Sequence, residues 1–266
     1  MARGTALVTG ASGGIGLELA RVLAREGYDV VLVARNAEHL NEYAHSFERD
    51  YHVRAVPLAL DLATADAPQR VVEALAEHGL VIDVLVNNAG FATFGLFAET
   101  PLEAELEELQ LNVVTLTALT KLLLRPMLAR HAGRILNVAS TAAFLPGPYM
   151  AVYYATKAYV LSFSEALAHE LRGSGVTVTC LCPGATASGF VARANMEQSG
   201  LVAGRRLPDA ASVAAYGIAA MHRGTTLAIP GLANKALPWL IRIVPRGLAP
   251  RIVARVQAPR ARRRAP

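Results

Sequence analysis

The sequence predicts an α/β fold, a single doubly wound parallel sheet of about seven strands with helices on both faces. Three observations predict it. Short apolar runs alternate with longer amphipathic ones along most of the chain. The short runs are rich in Val, Ile and Leu with little polar alternation, the pattern of strands covered on both faces. The strand–helix alternation repeats, which requires right-handed crossovers and hence parallel neighbours.

Taken in order, strands are expected at 5–10 (TALVTG), 29–35 (DVVLVAR), 53–60 (VRAVPLAL), 83–90 (DVLVNNAG), 133–140 (GRILNVAS), 176–184 (VTVTCLCPG) and 226–231 (TLAIPG). After the first, Ile15, Leu19, Val22 and Leu23 form a helical stripe that ends at Gly27, a C-terminal cap. The long helical pattern from 100 opens with Thr100 as N-cap, Pro101 in the first turn and acids close behind. In such a sheet ligands bind where the strands stop, at their carboxyl ends.

With 266 residues, 53% of them hydrophobic, the chain has ample material for a core. No linker, repeat or low-complexity block divides it. One main domain is expected at 1–231, with an appendage at 232–266. Charge is uneven: residues 1–209 carry 16 Lys and Arg against all 21 acids, whereas 210–266 carry ten bases and no acid. The body therefore lacks the basic stripe of a nucleic-acid binder, which argues against that class. Cys180 and Cys182 lie two apart on one apolar strand, a poor place for a disulfide and too few ligands for zinc, so no metal is expected. They read as buried thiols. The opening MARGTALVTG contains no hydrophobic leader, which fits a cytoplasmic protein. Ile135 to Thr156 and Gly173 to Ala192 lack charge, but Gly and Pro interrupt them, and they read as core rather than membrane spans.

The strand ends carry the chemistry. TGASGGIG places Gly10, Gly14 and Gly16 between the first strand and a helix, where the backbone can approach a phosphate and the helix start offers free N–H groups. The second strand ends in Arg35, which suits a 2′-phosphate better than a free 2′-hydroxyl but is also an ordinary place for a solvated charge. Asp61 ends the third, as an acceptor for an adenine amino group or as a cap of the next segment. Asn87, Asn88 and Gly90 end the fourth, suiting close approach to a cofactor or simple turn chemistry. Asn112, inside the long helix, is a solvated face residue or a water holder in a site. Ser140 ends the fifth strand, where a hydroxyl reaches a bound carbonyl.

VYYATK, at 152–157, sets two tyrosines beside Lys157. Helical spacing lets either face the lysine. A phenol normally titrates near ~10, and a nearby cation lowers that value, making proton exchange with an alcohol or ketone feasible.

Together TGASGGIG, NNAG, Asn112, Ser140, YYATK and PG (183–184), in this order over roughly residues 5–190, resemble the short-chain dehydrogenase/reductase family. NVASTAAF, YYATKAYV and CPGAT look most like bacterial ketoreductase-like members related to 17β-hydroxysteroid dehydrogenases. The resemblance implies a Rossmann-type fold and an NADP(H)-dependent oxidoreductase that reduces a medium-to-bulky apolar ketone. The rivals are alcohol oxidation with NAD and a catalytically silent cofactor-binding regulator.

The resemblance also assigns roles. Tyr153 becomes the acid/base, Lys157 binds the nicotinamide ribose and lowers the tyrosine pKa, Ser140 polarises the carbonyl, and Asn112 supports a water in the proton relay. Gly10, Ser12, Gly14, Ile15 and Gly16 cradle the phosphates and adenosine ribose. Arg35 and Asn36 face the 2′-phosphate and Asp61 the adenine, while Asn88, Ala89 and Gly90 hold the middle of the cofactor. Pro183, Gly184 and Thr186 line the nicotinamide. Gly13 stands where some NADP-preferring members carry a base, so the NADP preference rests on Arg35. Tyr154 is left as a packing residue whose ring matters more than its hydroxyl.

A substrate lid is implied at about 188–210. Phe91, Phe94, Phe144, Tyr149 and Met150 are candidate apolar walls. A homodimer or homotetramer is expected, with a small-molecule partner and no nucleic acid. The tail alternates apolar residues with Arg, contains Trp239, and is broken by Pro238, Pro245 and Pro250. It suits an anionic membrane surface, a subunit contact or a cover for the acidic body.

Overall fold

The computed structural model describes residues 3–187 and 207–258. Its order is β1 (Thr5–Thr9), α1 (Gly14–Arg25), β2 (Asp29–Ala34), α2 (Ala37–Tyr51), β3 (Ala55–Ala59), α3 (Ala67–Glu77), β4 (Val84–Asn87), α4 (Leu102–Leu109), a π-helical turn (Gln110–Thr115) and α5 (Leu116–Ala129). Then come β5 (Gly133–Val138), a 3₁₀ turn (Thr141–Phe144), α6 (Ala151–Glu170), β6 (Val176–Leu181), α7 (Ala210–His222), β7 (Leu227–Ala228), α8 (Leu232–Ile243) and α9 (Ala249–Gln257).

The seven strands form one parallel sheet in the order β3-β2-β1-β4-β5-β6-β7. Chain order reverses between β1 and β4, which places the switch-point crevice beside the glycine-rich turn. Alternate residues of each central strand enter opposite layers. Ala6, Val8, Val30 and Leu32 pack toward α1, α2 and α7, while Leu7, Val31 and Leu85 pack toward α3, α5 and α6. Burial on both faces explains the unbroken apolar runs. A polar seam crosses this core: Asn87 Nδ2 donates to Thr120 Oγ1 and Asn137 Oδ1, each at 2.9 Å, and Asn137 Nδ2 donates to Ser164 Oγ at 2.9 Å.

Some boundaries differ from expectation. β7 is two residues long. Pro101, not Thr100, is the N-cap of α4: its ring fixes φ at −64°, and its ψ of 130° keeps it extended, outside the helix. Thr100 Oγ1 instead lies 2.8 Å from Glu105 Oε1. Pro238 falls inside α8 rather than ending it. Residues 102–129 form one helix long and apolar enough to cross a membrane by length and composition, yet Leu119, Leu123 and Met127 pack into the core under the sheet. The expected core stretch from Ile135 to Thr156 is largely buried. Cys180 and Cys182 are free and buried, their sulfurs 3.7 Å apart. Most of the expected lid, and residues 188–192 of the second apolar stretch, lie outside the described residues.

Candidate active site

The carboxyl ends of β1 to β6 open into one cavity of about 940 Å³. Its floor begins at the glycine turn. Gly10 and Gly14 have φ of 68° and 56°, a region that favours glycine. A Cβ on Gly16 would sit 2.2 Å from the Gly10 carbonyl oxygen, so this turn closes only without a side chain there. The clamp behind it is polar. Thr9 Oγ1 accepts from the Asn88 and Ala89 N–H groups at 2.9 and 3.0 Å, and Asn88 Nδ2 donates to Thr9 O at 3.0 Å. α1 starts with no capping side chain and no acid in its first turn. Its first N–H groups and positive dipole end therefore face the cavity uncompensated, a fit for a pyrophosphate.

Arg35 stands half-exposed at the end of β2, with Asp61 Oδ2 at 4.0 Å and Glu107 Oε1 at 3.9 Å. Such exposed pairs are weak and yield readily to a phosphate dianion. Asn36 Oδ1 caps α2 by accepting the His39 N–H at 3.0 Å. Asp61 caps its own turn through the Ala63 N–H at 3.0 Å and also lines the cavity.

Across the cavity lie Ser140, Tyr153 and Lys157. Ser140 caps the 3₁₀ turn by accepting the Ala142 N–H at 3.1 Å, and its hydroxyl hydrogen-bonds the Tyr153 phenol. Lys157 Nζ donates to Val138 O at 2.9 Å and lies 5.7 Å from the Tyr153 ring centroid. Burial pushes the Tyr153 phenol well above its ordinary value, with the Ser140 hydrogen bond working the other way. Burial pulls the Lys157 ammonium down to about 8. In the protein alone, then, desolvation outweighs any lowering of the tyrosine by the lysine.

Asn112 does not line the cavity. It sits in the π turn, an irregularity often found at functional sites. Its Oδ1 accepts the Phe91 N–H at 3.2 Å, and its Nδ2 reaches Phe91 O at 2.9 Å and Thr156 Oγ1 at 3.2 Å. The carboxamide thus ties the loop after β4 to α6. One turn earlier, fully buried Glu108 accepts the Thr93 N–H at 2.8 Å. Burial pushes its carboxyl up to about 7, aided by Glu105 and opposed by the Thr93 hydrogen bonds and Lys157.

The native state holds that proton more tightly than the unfolded chain. The stability it provides is complete below about 4.5 and is lost as pH rises to about 7. Thermal melts from about pH 5 to about pH 8 are expected to show the parent losing several degrees relative to Glu108→Gln, which cannot ionise. Parallel curves would contradict this.

The apolar wall departs from the sequence reading. Phe91 and Met150 line the cavity. Phe94 and Tyr149 pack on each other with ring centroids 6.0 Å apart, and Phe144 packs with Leu116 and Val160. Their places are taken by Leu145, Leu207 and the C-terminal residues Leu237, Ile241, Ile252 and Val253. α8 and α9 thus close one side of the cavity. Tyr154 participates: its ring covers Gly147, where a Cβ would meet it at 2.2 Å, and its hydroxyl accepts a hydrogen bond from Gln257 Nε2 on α9. The hydroxyl, expected to matter less than the ring, thus also helps to hold α9.

Residues 4–199 match the family model of the short chain dehydrogenases. The very-long-chain 3-oxoacyl-CoA reductase-A of Danio rerio is 35% identical over 185 residues, which are 67% of this chain and 56% of that protein, so the chain spans little more than half of that relative's length. A short-chain dehydrogenase from Sphingobium yanoikuyae in complex with NADPH superposes with a TM-score of 0.82 at 30% identity, covering 98% of this chain and 100% of the other. The bulky-bulky ketone specific alcohol dehydrogenase of Comamonas testosteroni gives 0.77 at 26% identity, with both chains covered completely. With the family model matching most of its length, the chain belongs to the short-chain dehydrogenase family.

Proposed function

We propose that the protein is an NADP(H)-dependent carbonyl reductase acting on a medium-to-bulky apolar ketone. One observation carries the reading: Ser140, Tyr153 and Lys157 stand in the same cavity as the glycine turn and Arg35. The pyrophosphate would rest on Gly10, Ser12, Gly14, Ile15 and Gly16, with the 2′-phosphate beside Arg35 and Asn36 and the adenine beside Asp61. Asn88, Ala89 and Gly90 would hold the middle, Lys157 the second ribose, and Pro183, Gly184 and Thr186 the nicotinamide. The bound cofactor supplies the hydride.

The chain's own part is positioning and the proton. The Ser140 hydroxyl fixes and polarises the ketone oxygen, and Tyr153 delivers the proton to that oxygen as negative charge builds there. Burial favours the protonated Tyr153 phenol, the form that donates in a reduction. Asn112 and Glu108 hold the 91–93 loop in place. The NADPH complex of the Sphingobium relative and the ketone preference of the Comamonas relative support the cofactor and substrate readings.

NADPH oxidation is measured against ketones of increasing size, with NADH in parallel. Turnover should rise with apolar bulk. Tight NADPH binding without turnover of any ketone would instead favour a silent cofactor-binding regulator. Arg35→Ser should weaken NADPH roughly tenfold to a hundredfold, the worth of one charge-assisted contact, and leave NADH nearly unchanged. Equal losses for both cofactors would remove Arg35 from the 2′-phosphate.

We also infer a cytoplasmic homo-oligomer. Two free buried thiols suit a reducing compartment, and Leu102, Leu106, Leu109 and Val114 expose apolar surface along α4 and the π turn, with Tyr159 of α6 also exposed. Light scattering on the eluted protein tests the assembly.

A further inference from the structure

We propose that α8 is a two-sided helix, with one face forming the substrate wall and the opposite face resting on an anionic lipid surface. At about 100° per residue, Asn234, Leu237 and Ile241 point one way, and all three line the cavity. Leu232, Trp239 and Ile243 point roughly the opposite way, with Leu240 at the margin. These four are 87%, 71%, 79% and 54% exposed, and α8 has no buried residue. Lys235 and Arg242 flank the outer stripe, the Arg242 guanidinium lying 5.5 Å over the Trp239 ring.

Charge selects the occupant. Ten Lys and Arg and no acid fall between 210 and 266, four of the arginines at 260–264. An apolar stripe bearing Trp and edged by cations is the pattern of a helix lying in the interface of an anionic bilayer. A second copy of this chain would bring the same positive segment against itself. The body, net −5 over residues 1–209, would be repelled by such a surface, so the basic end alone makes the contact. Because one helix is shared, the cavity lies about one helix diameter from the lipid, ~10 Å. Resting on the reductase reading above, the inference adds that the ketone is drawn from the lipid phase.

Trp239 is the only tryptophan in the chain, so its emission reports on this face without any turnover. Full-length protein is titrated with phosphatidylglycerol-containing vesicles and, separately, with pure phosphatidylcholine vesicles. The anionic vesicles should shift the emission to the blue and protect it from acrylamide, and added salt should weaken the effect. Leu232→Ser with Ile243→Ser should bind anionic vesicles at least tenfold more weakly while turning over a water-soluble ketone at the parent rate. Emission unmoved by anionic vesicles overturns the proposal. So does emission already blue and protected without vesicles in an oligomer, which would assign the face to a second copy. If the vesicle response appears but no ketone is reduced, the lipid contact stands and the reductase reading fails.

Discussion

Replacing Tyr153 by Phe is expected to lower kcat by ~10²–10⁴, the usual contribution of a positioned acid/base group, with NADPH affinity unchanged. The ring sits in a close-packed cluster with Met150 and Tyr154, and Phe fills the same space, so folding should be spared. What disappears is the proton held beside Ser140. The neighbouring substitution separates chemistry from architecture. Tyr154→Phe should keep kcat within a few-fold, but it removes one acceptor for Gln257 and loosens α9. The expected signature is a higher KM for bulky ketones and a lower Tm, with little change for small ones. Near-normal kcat in Tyr153→Phe would remove that residue from proton transfer. A kcat loss of equal size in both variants would mean the pair acts through packing.

Gly16→Ala is expected to abolish measurable NADPH binding. The added methyl would meet the Gly10 carbonyl oxygen at 2.2 Å and Asn88 Nδ2 at 2.4 Å, neither the loose end of a flexible chain. Either α1 moves off β1 or the Asn88 bridge to Thr9 O breaks, and both deform the phosphate cradle. Overpacking of this kind costs ~1–3 kcal/mol of stability, enough to register in a melt without unfolding the protein. Gly13→Ser is the control. That position has an extended φ of 168° and nothing within 4 Å of a Cβ, so binding should persist. Cofactor titration by fluorescence reads both. Retained affinity in Gly16→Ala would show that the cradle tolerates a wider turn.

The sheet was legible because its strands are buried on both faces and write continuous apolar runs. β7 is only two residues long, whereas β3, the other edge strand, keeps five. The cavity residues at strand ends were legible because each is tied to its own strand. Glu108 was not. In LEAELEEL four acids look alike; Glu105 and Glu108 are both buried, and only the tertiary bond from the Thr93 N–H marks out Glu108. The π turn at Asn112 leaves no mark on a helical pattern, since one wider turn hardly shifts the apolar spacing. The role of the tail was hidden by distance, as the Tyr154–Gln257 contact joins positions 103 apart. Leu237 and Ile241 carried the one available hint, an i, i+4 apolar pair opposite the exposed stripe.

The two halves of the cavity differ in how freely they can change over time. The cradle side is made by the ends of central strands, and a change there disturbs the core that every part of the fold shares. The side formed by α8 is carried on a helix with no buried residue, where most replacements shift stability by no more than about 0.5 kcal/mol. Selection can therefore redraw the shape of the ketone accepted while the hydride chemistry and the fold persist. In this architecture inheritance is stored in the sheet, and novelty is written on α8.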